Sequence, residues 1–358
     1  MSNAGAIRQG IVMFSVEQPK FRLIWCDSGM KEQEWIRFLF DDLIAEEVFS
    51  ETIPSPAAGD VYIVNTNKIS LKTLSDTLNE KIEGNRPVGL IHLSDEWFGG
   101  GYDVYRYFDF VIRTHHAAIF EKNPGIFVIP LGWPGKTTGD AAIAKSSERR
   151  NRWSFMGNLI ATRHEMVKSF SSWRPNACHV FGAKGNASRR LPKAEFDSLL
   201  ASSTFCPAPM GNVMAETWRF YEALLAGSIP IVERRLTIDY YRNLFGNHPI
   251  PTFRNWRQAL KFAQRSMKDP SVIDSLQAQV LDWWKNYEQE LSCRFRSFVV
   301  SGARGEYRNN LSLWRFPSGV LSRLWQAMEL TRHHSTKAMI RRVVVFAKRR
   351  YKLIARLP

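Results

Sequence analysis

Cysteine is scarce in this chain of 358 residues: Cys26, Cys178, Cys206 and Cys293 are the only four, and no two stand in a CxxC spacing. That argues against a zinc site and a disulfide framework, and it fits a reducing compartment. Long apolar runs are missing too. Nowhere do eighteen apolar residues follow one another, and the opening MSNAGAIRQGIVMFSVEQPKF has no apolar stretch of signal-peptide length. The expectation is a cytoplasmic protein that does not span a bilayer. No segment repeats or is of low complexity, and no Asp-x-Asp pair offers itself to a divalent ion, since Asp41 and Asp42 are adjacent within an amphipathic helical pattern. No metal site is therefore expected. Acidic residues, finally, are absent from positions 330–358, which carry nine Lys and Arg.

What is present suits two ordinary domains, each with its own core: 44% hydrophobic, 13% aromatic and 23% charged residues. Net charge is +15, yet setting aside the last 29 residues leaves 40 basic against 34 acidic side chains. A mildly basic body with a strongly basic end reads as a globular protein that visits an anionic surface; a nucleic-acid binder would line its binding face with that charge. On a helix, Ile340, Val343, Val344, Ala347, Tyr351 and Ile354 share one stripe, opposite Lys337, Arg341, Arg342, Lys348, Arg349, Lys352 and Arg356. Such a segment, 336–358, is expected to lie on the inner membrane face, each cation contributing about 1 kcal/mol near anionic lipid. A packed helix with a solvated basic side fits the same pattern.

The body alternates short apolar runs with helical patterns, the rhythm of a parallel sheet. FRLIWC (21–26), VYIV (61–64), VGLIHL (88–93), FDFVIR (108–113) and IFVIP (126–130) are predicted strands, and Lys31 to Glu47 is predicted to form a helix. A polar link, 135–152, separates this half (1–134) from a second (153–300) with strands at 153–156, 179–181, 203–206 and 229–232 and helices near 163–170, 191–200 and 216–226. Helices follow at 301–335. Two α/β halves imply a cleft bounded by strand C-termini.

The most informative stretch is CPAPMGNVMAETWRFYEALLAGSIPIVE (206–233), a strand, a Pro/Gly loop, a helix ended by Gly227, and a strand. Loop amides, a helix start and Arg219 together suit a diphosphate, and Glu222 is placed to accept hydrogen bonds from ribose hydroxyls. An ordinary i,i+3 ion pair between Arg219 and Glu222 fits the spacing equally.

This block resembles the donor-binding segment of the exostosin-like glycosyltransferases, approximately L-x-P-x-G, then S-x-R-x-x-E-A-L-x-A-G-x-I-P-V-I. The resemblance implies an α/β, GT-B architecture: two Rossmann-like domains facing a cleft, the C-terminal one holding a nucleotide-sugar without a metal ion. Pro209, Gly211, Asn212, Arg219 and Glu222 would then form the donor site. RWSFMGNLIATR (152–163) resembles the family's first strand and loop of that domain, which adds Gly157 for close backbone approach and Arg163 for the diphosphate.

In the first half, HLSDEWFGGGY (92–102) follows a strand and offers carboxylates. An inverting transfer needs a base at the acceptor hydroxyl, and Asp95 is expected ahead of Glu96, with His115 as a further candidate. A helix-cap role for Asp95 is the alternative. Trp97, Tyr102, Arg113, His116 and Trp133 are expected at the acceptor. Adjacent histidines on an extended chain face opposite sides, so a metal shared by His115 and His116 is not expected. The sequence thus points to a hexosyl- or pentosyltransferase with no cofactor beyond a nucleotide-sugar co-substrate, a UDP-sugar first. The acceptor would be a glycan or lipid-linked glycan, in bacterial surface polysaccharide synthesis. A binding protein of the same fold without catalysis and, less well, a nucleic-acid binder are the other readings.

Overall fold

A computed structural model describes residues 18–66, 68–81, 88–135, 142–181, 190–235 and 238–333. The basic segment 336–358 lies outside the described residues.

The first half is built from β1 (Phe21–Trp25), α1 (Gln33–Phe40), β2 (Ile44–Phe49), β3 (Asp60–Asn65), α2 (Leu71–Lys81), β4 (Gly89–Leu93), β5 (Phe110–Arg113), α3 (Ala118–Glu121) and β6 (Ile126–Val128). Its six strands are all parallel, in the order β2-β1-β3-β4-β5-β6. The strands β4 and β5 are buried throughout, as expected of a parallel sheet covered on both faces.

The second half repeats the plan with β7 (Asn151–Gly157), α4 (Arg163–Phe170), β8 (Asn176–Val180), α5 (Lys193–Ala201), β9 (Ser203–Ala208), α6 (Trp218–Leu225), β10 (Ile229–Glu233), α7 (Tyr240–Phe245) and β11 (Thr252–Phe253). The order is β11-β10-β9-β7-β8, again parallel. Counted from its own first strand, the first sheet runs 2-1-3-4-5-6 and the second 2-1-3-4-5, a doubly wound order that opens a crevice between strands one and three. Two α/β sheets facing a cleft, followed by helices, is the architecture expected from the sequence.

The chain continues through α8 (Trp256–Ser266), α9 (Pro270–Ala303), α10 (Arg308–Leu313) and α11 (Gly319–His333). Asp269 caps α9, accepting from the Ser271 N–H, with Pro270 as first residue. At 34 residues α9 is about 50 Å long and crosses both halves. Near its start Gln277 donates to the Gly227 and Ala144 carbonyls; near its end Phe295 meets Phe40, and Phe298 meets Phe110 and Phe127. Then α10 and α11 close over the first half, where Arg308 pairs with Asp109 at 2.6 Å.

One expectation fails clearly. The helix predicted over 31–47 stops at Phe40, and residues 44–49 form edge strand β2 on β1. Asp41 turns the chain at φ 49°, so Asp41 and Asp42 follow the helix and reach Arg296 of α9. Ala and Glu at 45–47 favour a helix locally, but the Trp25 indole donating to Glu47 at 2.7 Å and stacking on Phe49 secures the strand.

Candidate functional site

Both sheets direct their carboxyl ends at one cavity of about 640 Å3. Ser94, Glu96, His115 and Leu131 bound it from the first half; Asn158, Arg163, Gly211, Asn212, Glu216, Thr217 and Trp218 bound it from the second, with Arg190. Every one of these residues follows the end of a strand. Two of them, Ser94 and His115, hold left-handed backbone at φ 61° and 64°, a conformation that non-glycine residues seldom adopt.

The basic side of the cavity is made by α4 and α6. Arg163 opens α4 and donates through Nε to the Met210 carbonyl at 3.2 Å and through Nη1 to Asn158 at 3.3 Å. Arg219, in the first turn of α6, is buried behind it. Its Nη2 donates to the Met156 carbonyl at 2.6 Å, and its guanidinium sits 4.5 Å from the Phe155 ring centroid. Gly157 makes room, since a Cβ there would lie 2.6 Å from Nη2. Among the described residues neither guanidinium has a carboxylate within ion-pair distance, and Arg219 Nε has no hydrogen-bond partner. Burial, and then the charge of Arg219, lower Arg163 to about 9 although Glu233 opposes them; burial lowers Arg219 as well. Two cations held close with little water are a place where an anion is stabilised.

The loop after β9 contributes fewer amides than expected. Met210 N–H donates to Glu233 Oε1 and Gly211 N–H to the Met214 carbonyl, both at 2.8 Å. Thr217, at the start of α6, has a buried hydroxyl with no partner among the described residues. Pro209 is buried beneath the loop, while Gly211 and Asn212 reach the cavity. Glu222 does not join them: it faces α5 across a separate cavity of about 300 Å3, beside Lys193, Asp197 and Pro134.

In the first half, Asp95 is only 2% exposed. Its Oδ1 accepts from Gly99 N–H at 2.8 Å; its Oδ2 accepts from the Tyr102 hydroxyl at 2.6 Å and Arg113 Nη2 at 3.1 Å. Burial raises this carboxyl, His92 and Arg113 oppose it, and the net shift is downward. So Asp95 sits as the buried counter-ion of Arg113, and the first-half carboxylate that bounds the cavity is Glu96. Tyr102, Arg113 and Trp133 are likewise core residues, Trp133 donating to Glu288 at 2.8 Å. His116 is buried with Nε2 2.9 Å from Glu121. Trp97 is 42% exposed.

Glu216 was not legible from the sequence. Fully enclosed, its carboxylate accepts from Leu131 N–H at 2.7 Å, Tyr240 Oη at 2.6 Å and Tyr221 Oη, and Tyr240 Oη accepts in turn from His116 N–H at 3.2 Å. These bonds stitch the halves together at the floor of the cavity. Burial raises Glu216. His115 Nδ1 lies 4.0 Å from Glu216 Oε2 and has no hydrogen bond among the described residues; burial foremost drags this imidazole to about 3, so it is neutral at physiological pH. Nothing local marks Glu216, because Leu131 is 85 residues away; Thr217 before an apolar run was a readable helix start.

Among the described residues no three His, Cys, Asp or Glu are placed to hold a metal ion, and no helix is long and apolar enough to cross a membrane. No family model matches the chain. It is 28% identical over 120 residues to ribitol-5-phosphate xylosyltransferase 1 of Mus musculus, a stretch covering 29% of this chain and 26% of that protein. Among solved structures it is similar to an α1,3-fucosyltransferase (12% identity, TM-score 0.49, covering 81% of this chain and 92% of that one). It is also similar to a mutant O-GlcNAc transferase of Thermobaculum terrenum (8% identity, TM-score 0.48, covering 82% and 68%). A further likeness is to HepE of Anabaena in complex with UDP (13% identity, TM-score 0.42, covering 78% and 100%).

Proposed function

We propose that the chain is an exostosin-like glycosyltransferase that takes a nucleoside-diphosphate sugar into the cavity between its sheets. The observation that carries this reading is the pair of guanidinium groups, Arg163 and Arg219, which have no carboxylate partner among the described residues, close to the Thr217 hydroxyl at the start of α6, which has no hydrogen-bond partner among them either. A diphosphate supplies the missing negative charge. As the bond from the anomeric carbon to the β-phosphate oxygen breaks, charge grows on the leaving diphosphate, and fixed cations oppose it without a metal ion. The acceptor oxygen bonds to the same carbon and gives its proton to a base. Glu96 is the carboxylate on that wall, in preference to the enclosed Asp95. The sequence likeness to a xylosyltransferase supports sugar transfer. A UDP-sugar donor, a glycan or lipid-linked acceptor and a role in bacterial surface polysaccharide synthesis complete the proposal, with residues 336–358 at the inner leaflet.

The test is a thermal-shift screen of UDP-, GDP- and CMP-sugars followed by turnover. At least one diphosphate donor raises the melting temperature, and Arg163→Ala and Arg219→Ala abolish both shift and transfer while each variant still melts cooperatively. Normal turnover in Arg219→Ala overturns the assignment.

A further inference from the structure

The outer side of α11 is apolar, and none of the described residues covers it. On its inner side Trp325 meets Phe98 and Phe120 edge-on, at centroid distances of 5.4 and 5.9 Å, and Glu329 and His333 are buried. On the outer side Val320, Leu321, Leu324 and Met328 are 73, 67, 61 and 58% exposed. At 100° per residue these four lie within about 100° of one another, a stripe as wide as those that normally face a core.

We infer that this stripe is a lipid-contact surface that seats the protein on an anionic leaflet. Charge identifies the occupant. Exposed Arg323 flanks the stripe, and residues 334–358 carry eight Lys and Arg with no Asp or Glu. An apolar stripe flanked by Arg323, in a chain whose following sequence is basic, matches acyl chains beneath anionic headgroups. A second copy of the chain would bring the same positive charge against the first. The contact also has a bearing on the cavity. Gln326 of α11 donates to the Trp97 carbonyl at 2.8 Å, in the loop that supplies Ser94 and Glu96. The helix α11 therefore stands between the stripe and the loop that bounds the cleft. The inference stands apart from the donor reading, because it can be measured without any sugar.

The full chain and the variant Leu321→Glu/Leu324→Glu/Met328→Glu are sedimented with vesicles of phosphatidylcholine alone and of phosphatidylcholine with phosphatidylglycerol. The expected result is that the parent chain partitions onto the anionic vesicles and the variant does so about tenfold or more weakly, at unchanged melting temperature. Should the glutamates lower the melting temperature, glutamines at the same positions give the same comparison. Equal partitioning of parent and variant overturns the proposal, because the basic segment then acts alone. So does a parent dimer, by light scattering, that the variant lacks, since the stripe then covers a second copy.

Discussion

Asp95 and Glu96 are neighbours in sequence with opposite surroundings. Asp95→Asn leaves Arg113 buried without its counter-charge, which costs about 3–5 kcal/mol, so a large drop in melting temperature is expected. Glu96→Gln should leave melting unchanged and lower turnover by about 10^2 to 10^4. Stability and rate measured on both variants check this; a stable Asp95→Asn with strongly reduced turnover would return the base to Asp95. The sequence could not separate the two. A Gly-rich run suggests an exposed rim, and Arg113, the partner that draws Asp95 inside, comes 18 residues later on another strand. What was readable of Arg163 and Arg219 is their place near the start of a helix after a strand, a position the chain makes locally.

Elements were legible where one apolar run forms one strand, as in β1, β3, β4 and β5. They were not where tertiary pairing decides, as in β2 and the two-residue β11. How α9 meets the first sheet was equally hidden. Phe110 of β5 is held between two glycines: a Cβ on Gly302 of α9 would lie 2.4 Å from its ring, and one on Gly89 of β4 2.3 Å. The ring is fully buried and cannot swing clear. Gly302→Ala should therefore destabilise by about 1–3 kcal/mol, read from the urea midpoint. Adding Phe110→Leu should recover part of the loss, and an alanine variant as stable as its parent would show that this packing is looser than described.

For the molecule as a whole, buried histidines set the response to acid. Burial foremost lowers His92 to about 4 and His115 to about 3. An unfolded chain takes up protons on these rings below about 6.5, where the native state does not. Their contribution is thus complete above that pH and is lost as pH falls, by on the order of 2 kcal/mol per ring at pH 5. Glu216, raised by burial, works in the opposite sense, so acid relieves it. Melting temperature should decline from pH 7 to pH 5, and His92→Gln should decline less steeply. Parallel profiles for the two would remove His92 as a source.

The single rod of α9 gives the two halves a common spine. With both sheets fastened along it and the Glu216 bonds closing the seam, the gap between them has a span fixed by one rigid member. For the proposed transfer, entry to the cavity is then expected to depend on the short connectors at 94–101 and 209–217, and turnover should track how fast those connectors rearrange, not how widely the lobes part.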